Sequence, residues 1–220
     1  MTLNRSIIRQ FISKAQWATA SNICYLLSGK RQRRDYAIVA AELNSMCRTK
    51  RPEIRLKKLH HEFYTCYALA TNPKTTLNHH HVEHDIKLRN CLGKYLFVCG
   101  HGLMEYLSLK TYADALLTLN TGNLYFEFDS GHMGKGQLID KVRTHYICKG
   151  AYRVVFWMGT AEYAHWKNMA TIKCLEKNRL TVLFDVVRAV LRDKPNRILG
   201  ASYHEYLENG KVYNFRGEDR

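Results

Sequence analysis

Two short segments within residues 112–146 constrain the fold of this chain most strongly, because they predict a β-hairpin. Leucine, β-branched and aromatic residues flank the polar cluster at residues 120–123, a composition typical of a turn between strands. Asp114 falls on the first strand. Alternation along the second strand gives two faces: Leu124, Phe126 and Phe128 on one, and Tyr125, Glu127 and Asp129 on the other. One face is therefore expected to pack and the other to carry acid.

The carboxylates of this hairpin need a partner, because carboxylates are disfavoured in strands and costly to bury unpaired. A divalent cation is one such partner, since Mg²⁺ prefers hard carboxylate oxygens and often takes further oxygens from a substrate phosphate. The alternative is structural. Glu127 and Asp129 would then face solvent on an edge strand, or pair with the nearby Lys135 and Lys141.

The order of these residues resembles the metal centre of the restriction-endonuclease-like PD-(D/E)XK superfamily. More narrowly, it resembles the plasmid replication-relaxation proteins and the MobC-type mobilisation relaxases. The resemblance depends on Asp114, twelve intervening residues, Glu127-Phe128-Asp129, and then a segment of helical pattern with Lys141 and Tyr146.

Within that pattern, Ala113-Asp114-Ala115 matches a Pro-Asp-Ala step and Glu127 matches the acid of the following strand. Ala113 stands where the pattern has Pro, and Asp129 stands where it has Lys. The resemblance implies that Asp114 and Glu127 bind Mg²⁺ or Mn²⁺. The polarising cation is then expected from Lys141, with Lys135 as the less favoured candidate.

Either water or a tyrosine could attack the phosphodiester, because a tyrosine nucleophile would store the bond energy needed for religation. Tyr125 shares the acidic face and Tyr146 follows Lys141. The candidate catalytic residues are Asp114, Glu127, Asp129, Lys141, Tyr125 and Tyr146. The candidate metal ligands are Asp114, Glu127 and Asp85.

Composition points to a polyanionic partner. The 220 residues contain 34 Lys and Arg against 19 Asp and Glu, a net charge of +15, and nucleic acid is the commonest partner of such a field. No run of about 18 apolar residues suggests a membrane span, and the N-terminus lacks a signal-peptide pattern, so a cytoplasmic protein without membrane insertion is expected. The seven cysteines are dispersed without a Cys-x-x-Cys pair, which favours reduced core thiols.

Residues 1–72 predict a winged helix-turn-helix, because three helical patterns precede two short extended segments. Apolar residues recur at helical spacing near Ile8 and Ile23, with a cap signal at Ser21-Asn22 and a stop at Ser28-Gly29. A third helix from Asp35 carries Ile38, Val39, Leu43 and Met46. The extended segments, residues 54–59 and 62–69, would form the wing.

Basic residues surround the predicted third helix. Between residues 30 and 58 there are ten basic and three acidic side chains, a local net charge of +7. Such a density can neutralise several phosphates, whereas a solvated charged face is the alternative. The candidate DNA-binding residues are Lys30, Arg31, Arg33, Arg34, Arg48, Lys50, Arg51, Lys57 and Lys58.

A boundary is predicted near Thr71-Asn72-Pro73, so residues 73–220 form the second domain. After it, the run His79-His80-His81 allows a zinc site or an HUH-type relaxase, although that motif needs an apolar residue between its histidines. The favoured interpretation is a helix over residues 82–95 that opens the nuclease core. His84-Asp85 then resembles the His-Asp step of replication-relaxation proteins.

The remaining segments complete an α/β core with a mixed sheet. The apolar run at residues 152–158 is typical of a central strand covered on both faces. Other predicted elements are a strand at 95–99, helices at 134–149, 161–178 and 180–192, and a final hairpin over 198–207 and 211–215. The order resembles a restriction-endonuclease-like core.

These patterns predict a plasmid mobilisation relaxase-type protein that binds origin or transfer-origin DNA and nicks one strand with Mg²⁺ or Mn²⁺. Double-stranded plasmid DNA is the expected partner, with single-stranded DNA after nicking and other relaxosome proteins as further candidates. The alternative is a site-specific DNA-binding replication or transcription factor whose nuclease-like core is inactive, which Asp129 in the lysine position favours.

Overall fold

The computed structural model describes residues 3–109, 113–119, 122–130, 137, 140–141, 153–158 and 181–186. The chain divides into two compact units, Met1–Leu107 and Ser108–Arg220. Helices and a mixed sheet make the fold α/β, which confirms the predicted class.

The first unit combines helices with a small antiparallel sheet of strand order β1-β3-β2. Its elements in chain order are α1 (Arg5–Ala15), β1 (Trp17–Thr19), α2 (Ala20–Ser28), α3 (Arg33–Arg48), β2 (Leu56–His60), β3 (Thr65–Leu69), α4 (Val82–Cys99) and the 3₁₀ helix η1 (His101–Tyr106). The three-residue strand β1 was not predicted, because so short a segment between two helices carries no periodicity.

Helix α2 begins earlier than the predicted cap at Ser21-Asn22. Thr19 is the N-cap, and its hydroxyl accepts a hydrogen bond from the backbone N–H of Asn22, whose side chain bonds back to the Thr19 backbone. The predicted cap at Ser21-Asn22 is therefore wrong by two residues. Gly29 ends the helix at φ 67°, in the left-handed region that glycine adopts without strain, so the predicted stop is confirmed.

Helix α3 packs through one stripe, formed by the buried residues Val39, Leu43 and Met46. Ile38 was predicted to belong to this stripe, but its side chain is 38% exposed. It lies one residue before Val39, and this 100° step carries it off the buried face. The outward face of α3 thus carries an apolar side chain between its terminal arginines.

Helix α4 runs to Cys99, so the strand predicted at residues 95–99 is wrong. The helix packs against α2, where Gly93 is so close that an added Cβ would lie 2.9 Å from the carbonyl oxygen of Asn22. The Asn22 amide also donates to the Ile86 carbonyl and to the Asn90 side chain. Contacts group α4 with the first unit, although the predicted domain boundary lies before it, near residue 72. That residues 1–72 form an independent domain stays a prediction.

Arg89 of α4 joins three segments of the first unit, although only 5% of its surface is exposed. Its guanidinium donates to the carbonyl oxygens of Ala15 at 2.9 Å, Trp17 at 3.1 Å and Asp85 at 3.0 Å. It also lies 3.9 Å from the centre of the Trp17 ring. Burial lowers the pKa of Arg89 to about 10, which leaves it charged at neutral pH.

The second unit contains the mixed sheet, with strand order β4-β5-β6-β7-β8. The strands are β4 (Leu107–Ser108), which begins at the boundary, β5 (Ala115–Leu119), β6 (Gly122–Asp129), β7 (Arg153–Met158) and β8 (Thr181–Val186). Strands β5 and β6 are antiparallel, whereas β6, β7 and β8 run parallel. This confirms the predicted hairpin and the central strand predicted at residues 152–158.

Strand β8 contradicts the helix predicted at residues 180–192. Its six residues pair with the six residues of β7. This apolar run could also form a buried helix, but here it forms a parallel strand. Gln137, Asp140 and Lys141 are helical, as predicted for residues 134–149. The elements predicted at residues 161–178, 198–207 and 211–215 lie outside the described residues.

The cysteines that the structure describes are free thiols: Cys24, Cys47, Cys66, Cys91 and Cys99. Burial raises the pKa of Cys24, Cys66 and Cys99 to about 12, so these thiols are neutral and unreactive at physiological pH. Within the described part of the chain, every helix is too short or too polar to cross a bilayer.

Candidate functional site

The β5–β6 hairpin brings Asp114 and Glu127 to facing positions. Ala115 pairs with Phe126, so the next positions outward on the two segments are Asp114 and Glu127. Asp114 lies immediately before β5, not within it as predicted. Its Oδ2 accepts a hydrogen bond of 2.7 Å from the backbone N–H of Phe128, which holds the carboxylate beside β6.

Glu127 forms an ion pair with Lys141. Lys141 Nζ lies 2.6 Å from Glu127 Oε2, and the side chains are 25% and 1% exposed, respectively. Of the two structural alternatives, exposure of Glu127 to solvent is therefore wrong, whereas its pairing with Lys141 is confirmed. A charge pair this poorly hydrated loses much of its hydration energy, so stability alone is a weak reason to retain it.

The rest of the acidic face of β6 is also buried. Asp129 is 4% exposed and follows Glu127 by two residues, so both side chains lie on one face. Phe156, which pairs with Glu127 in β7, is fully buried and gives this face an apolar neighbour. The acidic face is thus covered and is not an open edge.

Tyr125 is 5% exposed and lies on the same face as Glu127. Its hydroxyl accepts a hydrogen bond of 3.3 Å from the Asn123 amide. The burial of Tyr125 is similar to that of Glu127 and Asp129. Tyr146 and Lys135 lie outside the described residues, so their predicted roles stay predictions.

The donors near the hairpin suit a hard cation. Asp114 and Glu127 offer carboxylate oxygens, and Mg²⁺ is commonly held by one or two carboxylates together with substrate phosphate and water. In the ranges that the structure describes, no three or more His, Cys, Asp and Glu side chains are grouped to hold a metal by themselves.

No family model, curated protein or solved structure matches this chain.

Asp85, the third candidate ligand, belongs to the first unit. It pairs with Arg89 at 3.4 Å and with His84 at 3.3 Å. These contacts give Asp85 a structural role in holding Arg89. Its participation in a metal site stays a prediction.

The histidine run does not form the strand that an HUH motif requires. His79, His80 and His81 are exposed and form a turn before α4. The His79 ring stacks on that of His61, with centroids 5.1 Å apart. The zinc and HUH alternatives gain no support from this geometry.

The candidate DNA-binding residues are distributed around both ends of α3. Arg33 and Arg34 occupy its first turn, Arg48 its last, and all three are exposed. Lys30, Arg31, Lys50, Arg51 and Lys58 are exposed or half-buried, and Arg31 lies 5.0 Å from the centre of the Tyr36 ring. Lys57 differs, because its ammonium donates to the carbonyl oxygens of residues 73 and 75.

Two features of these sites could not be found from sequence patterns. The backbone N–H of Phe128 orients Asp114, and no residue type encodes a backbone donor. The aromatic cluster of the β2–β3 turn joins His61 to His79, which are separated by eighteen positions in the sequence. Phe63 was not singled out from the sequence, although a large apolar residue at the start of the second predicted wing segment could have indicated this turn.

Proposed function

We propose that this chain is a plasmid mobilisation relaxase-type protein that binds origin or transfer-origin DNA and nicks one strand with Mg²⁺ or Mn²⁺. The observation that carries the proposal is the group of Asp114, Glu127 and Lys141. Two carboxylates face each other across a hairpin, and a lysine from the following helical segment contacts one of them. This is the chemistry expected of a phosphodiester-cleaving centre.

The strand directions of the second unit support a restriction-endonuclease-like core. An antiparallel hairpin, β5–β6, is followed by a helical segment and then by the parallel strand β7. In such a core the acidic residues lie on the hairpin, where Asp114 and Glu127 are found. The position of Lys141 supports its assignment as the cation that replaces the lysine absent at Asp129.

The first unit supports a winged helix-turn-helix. The order α1, β1, α2, α3, β2, β3 with an antiparallel sheet β1-β3-β2 is the order expected of that fold. In it the third helix enters the major groove and the β2–β3 hairpin contacts the backbone. The charge around α3 agrees with this orientation.

Each residue has a distinct role in the proposed reaction. Asp114 and Glu127 would hold a divalent ion, which supplies charge neutralisation at the phosphate and a more acidic water. Lys141 would stabilise negative charge on the phosphate oxygens, and Glu127 holds its ammonium in place. The attacking group would be water, Tyr125 or Tyr146.

The arginines at the start of α3 are better explained by a ligand than by helix stability. The N-terminal end of a helix carries partial positive charge, so cations there are unfavourable by about 0.3–1 kcal/mol. Arg33 and Arg34 are both in this turn, where Asp35 is the one acidic residue, and the N-cap Gln32 makes no capping side-chain bond. A phosphate would be attracted by the arginines and by the helix end together.

Replacing Arg34 with Glu should weaken DNA binding about tenfold and reduce the slope of log affinity against log salt by about 1, because a phosphate contact is lost. The measurement is fluorescence anisotropy with an origin-region duplex across a salt series. Lys87→Glu is the matched control, since it makes the same charge change on the exposed side of α4. Equal losses in the two variants would contradict a DNA-binding role for α3.

Replacing Lys141 with Ala should slow metal-dependent nicking about 10²-fold, because one stabilising charge near the phosphate is removed. Single-turnover nicking of supercoiled plasmid measures this effect. Lys135→Ala is the control from the same segment and should nick normally. The opposite pattern would assign the polarising cation to Lys135.

The second candidate function is a site-specific DNA-binding factor with an inactive nuclease-like core. Asp129 favours it, because an acid stands where the resembled pattern has its lysine. The two functions share the basic α3 surface and differ in nicking. Under the second, every variant of Glu127 or Lys141 would bind DNA and none, including the wild type, would nick.

A further inference from the structure

The tip of the β2–β3 hairpin presents an aromatic side chain to solvent on a rigid base. His61 and Tyr64 exchange backbone hydrogen bonds of 3.0 and 3.3 Å, which closes a tight turn with Glu62 and Phe63 at its end. Phe63 is 71% exposed, whereas the other exposed large apolar residues of the described chain are 38–43% exposed. Its ring is available for contact with a partner.

Stacked aromatic side chains hold this turn in place. The His61 ring stacks on Tyr64 with centroids 5.6 Å apart and on His79 at 5.1 Å. The Tyr64 hydroxyl donates to Glu83 at 3.1 Å, and its ring packs against the buried cluster that includes Trp17 and Val82. Because these contacts already order the turn, a ligand that binds Phe63 would not have to immobilise it.

The basic surface at the end of α3 extends onto β2 as far as Lys58, and the tip beyond it carries histidine and carboxylate side chains. Lys58 and His60 are exposed and alternate with residues of lower exposure, so they share the outer face of β2. Helix α3, which ends at Arg48, contacts strand β2, so the basic residues at the end of the helix and on the strand belong to one region of the first unit. The acidic residues at the tip are Glu62, which is exposed, and Glu83, which is bonded to Tyr64.

We propose that Phe63 is a stacking site for an unpaired nucleobase, so that the hairpin tip binds DNA where its two strands are separated. The inference depends on the proposed DNA-binding function and deepens it by naming the state of the DNA. A basic surface that ends in an exposed aromatic ring is the combination that binds single-stranded nucleic acid, because phosphates are neutralised and every base has a face for stacking. Strand separation next to the nick site would supply such bases.

The test compares binding to a short duplex with binding to the same duplex carrying a central unpaired segment with 2-aminopurine. The wild type should prefer the unpaired segment and quench 2-aminopurine by stacking. Phe63→Ala should lose about tenfold to hundredfold in affinity for this DNA and most of the quenching, with paired-duplex affinity unchanged. Phe63→Trp should retain both, and Tyr106→Ala, at another exposed aromatic residue, should behave as the wild type.

Two outcomes would contradict this inference without contradicting the proposed function. Phe63→Ala could weaken both DNAs equally, which would indicate a backbone contact, or could weaken neither, which would remove the tip from DNA binding. If the wild type binds neither DNA, the proposed function fails together with the inference. Nicking by a wild type that shows no Phe63-dependent preference would leave the proposed function intact.

Discussion

Glu127→Gln is expected to reduce metal-dependent nicking about 10³-fold while DNA affinity stays within about twofold of the wild type. The substitution keeps the shape of a side chain that is 1% exposed, but it removes the negative charge that faces Asp114 and pairs with Lys141. The proposed metal would keep Asp114 as its one carboxylate ligand from the hairpin, and Lys141 would lose its anionic partner. Single-turnover nicking and anisotropy, measured on one DNA, separate the two effects.

The matched control for this variant is Asp140→Asn. Asp140 is exposed and immediately precedes Lys141, so the substitution makes the same change in net charge close to the candidate site. It should nick at the wild-type rate. If Glu127→Gln also nicks at that rate, the hairpin carboxylates do not form the active site, and parallel loss in both variants would indicate a general electrostatic effect.

Arg89→Met is expected to lower the free energy of unfolding of the first unit by about 3–5 kcal/mol. The carbonyl oxygens of Ala15 and Trp17 would lose a charged donor inside a buried region, and Asp85 would lose its cationic partner. A loss of this size is a large part of the stability of a typical domain, which is about 5–15 kcal/mol. Urea unfolding followed by tryptophan fluorescence measures it, because the Arg89 guanidinium contacts the Trp17 ring.

Lys87→Met provides the control for Arg89. Lys87 is exposed on the same helix, so its loss should change the free energy of unfolding by less than about 0.5 kcal/mol. A similarly small effect for Arg89→Met would show that the three carbonyl contacts do not hold α1, β1 and α4 together.

The elements predicted correctly are those whose pattern is local. The stripe of α1, the stop at Gly29 and the β5–β6 hairpin follow from spacing and turn residues within a few positions. The errors occur where contacts between residues far apart in the sequence determine the secondary structure. Residues 95–99 are rich in residues that favour strands, but contact with α2 extends α4 through them, and pairing with β7 makes Thr181–Val186 a strand.

The candidate site was predictable in its residue types and not in its geometry. The sequence indicated that Glu127 and Lys141 could meet, since a helix after the strand can return a side chain to it, and the structure brings them to 2.6 Å. The facing position of Asp114 depends on strand register, and its orientation depends on the Phe128 backbone. The burial of Asp129 depends on what packs over this face of the sheet, which alternation within one strand does not reveal.

The most direct test of the central claim is the conversion of supercoiled plasmid carrying the protein's own origin region to open circles, with and without Mg²⁺ or Mn²⁺. We expect open circles only when metal is present. Phenol partition of the product then distinguishes hydrolysis from attachment to a tyrosine, because a covalent complex leaves the aqueous phase. Tight binding to the origin DNA without open circles under either metal would contradict the account and identify the chain as a DNA-binding factor with an inactive core.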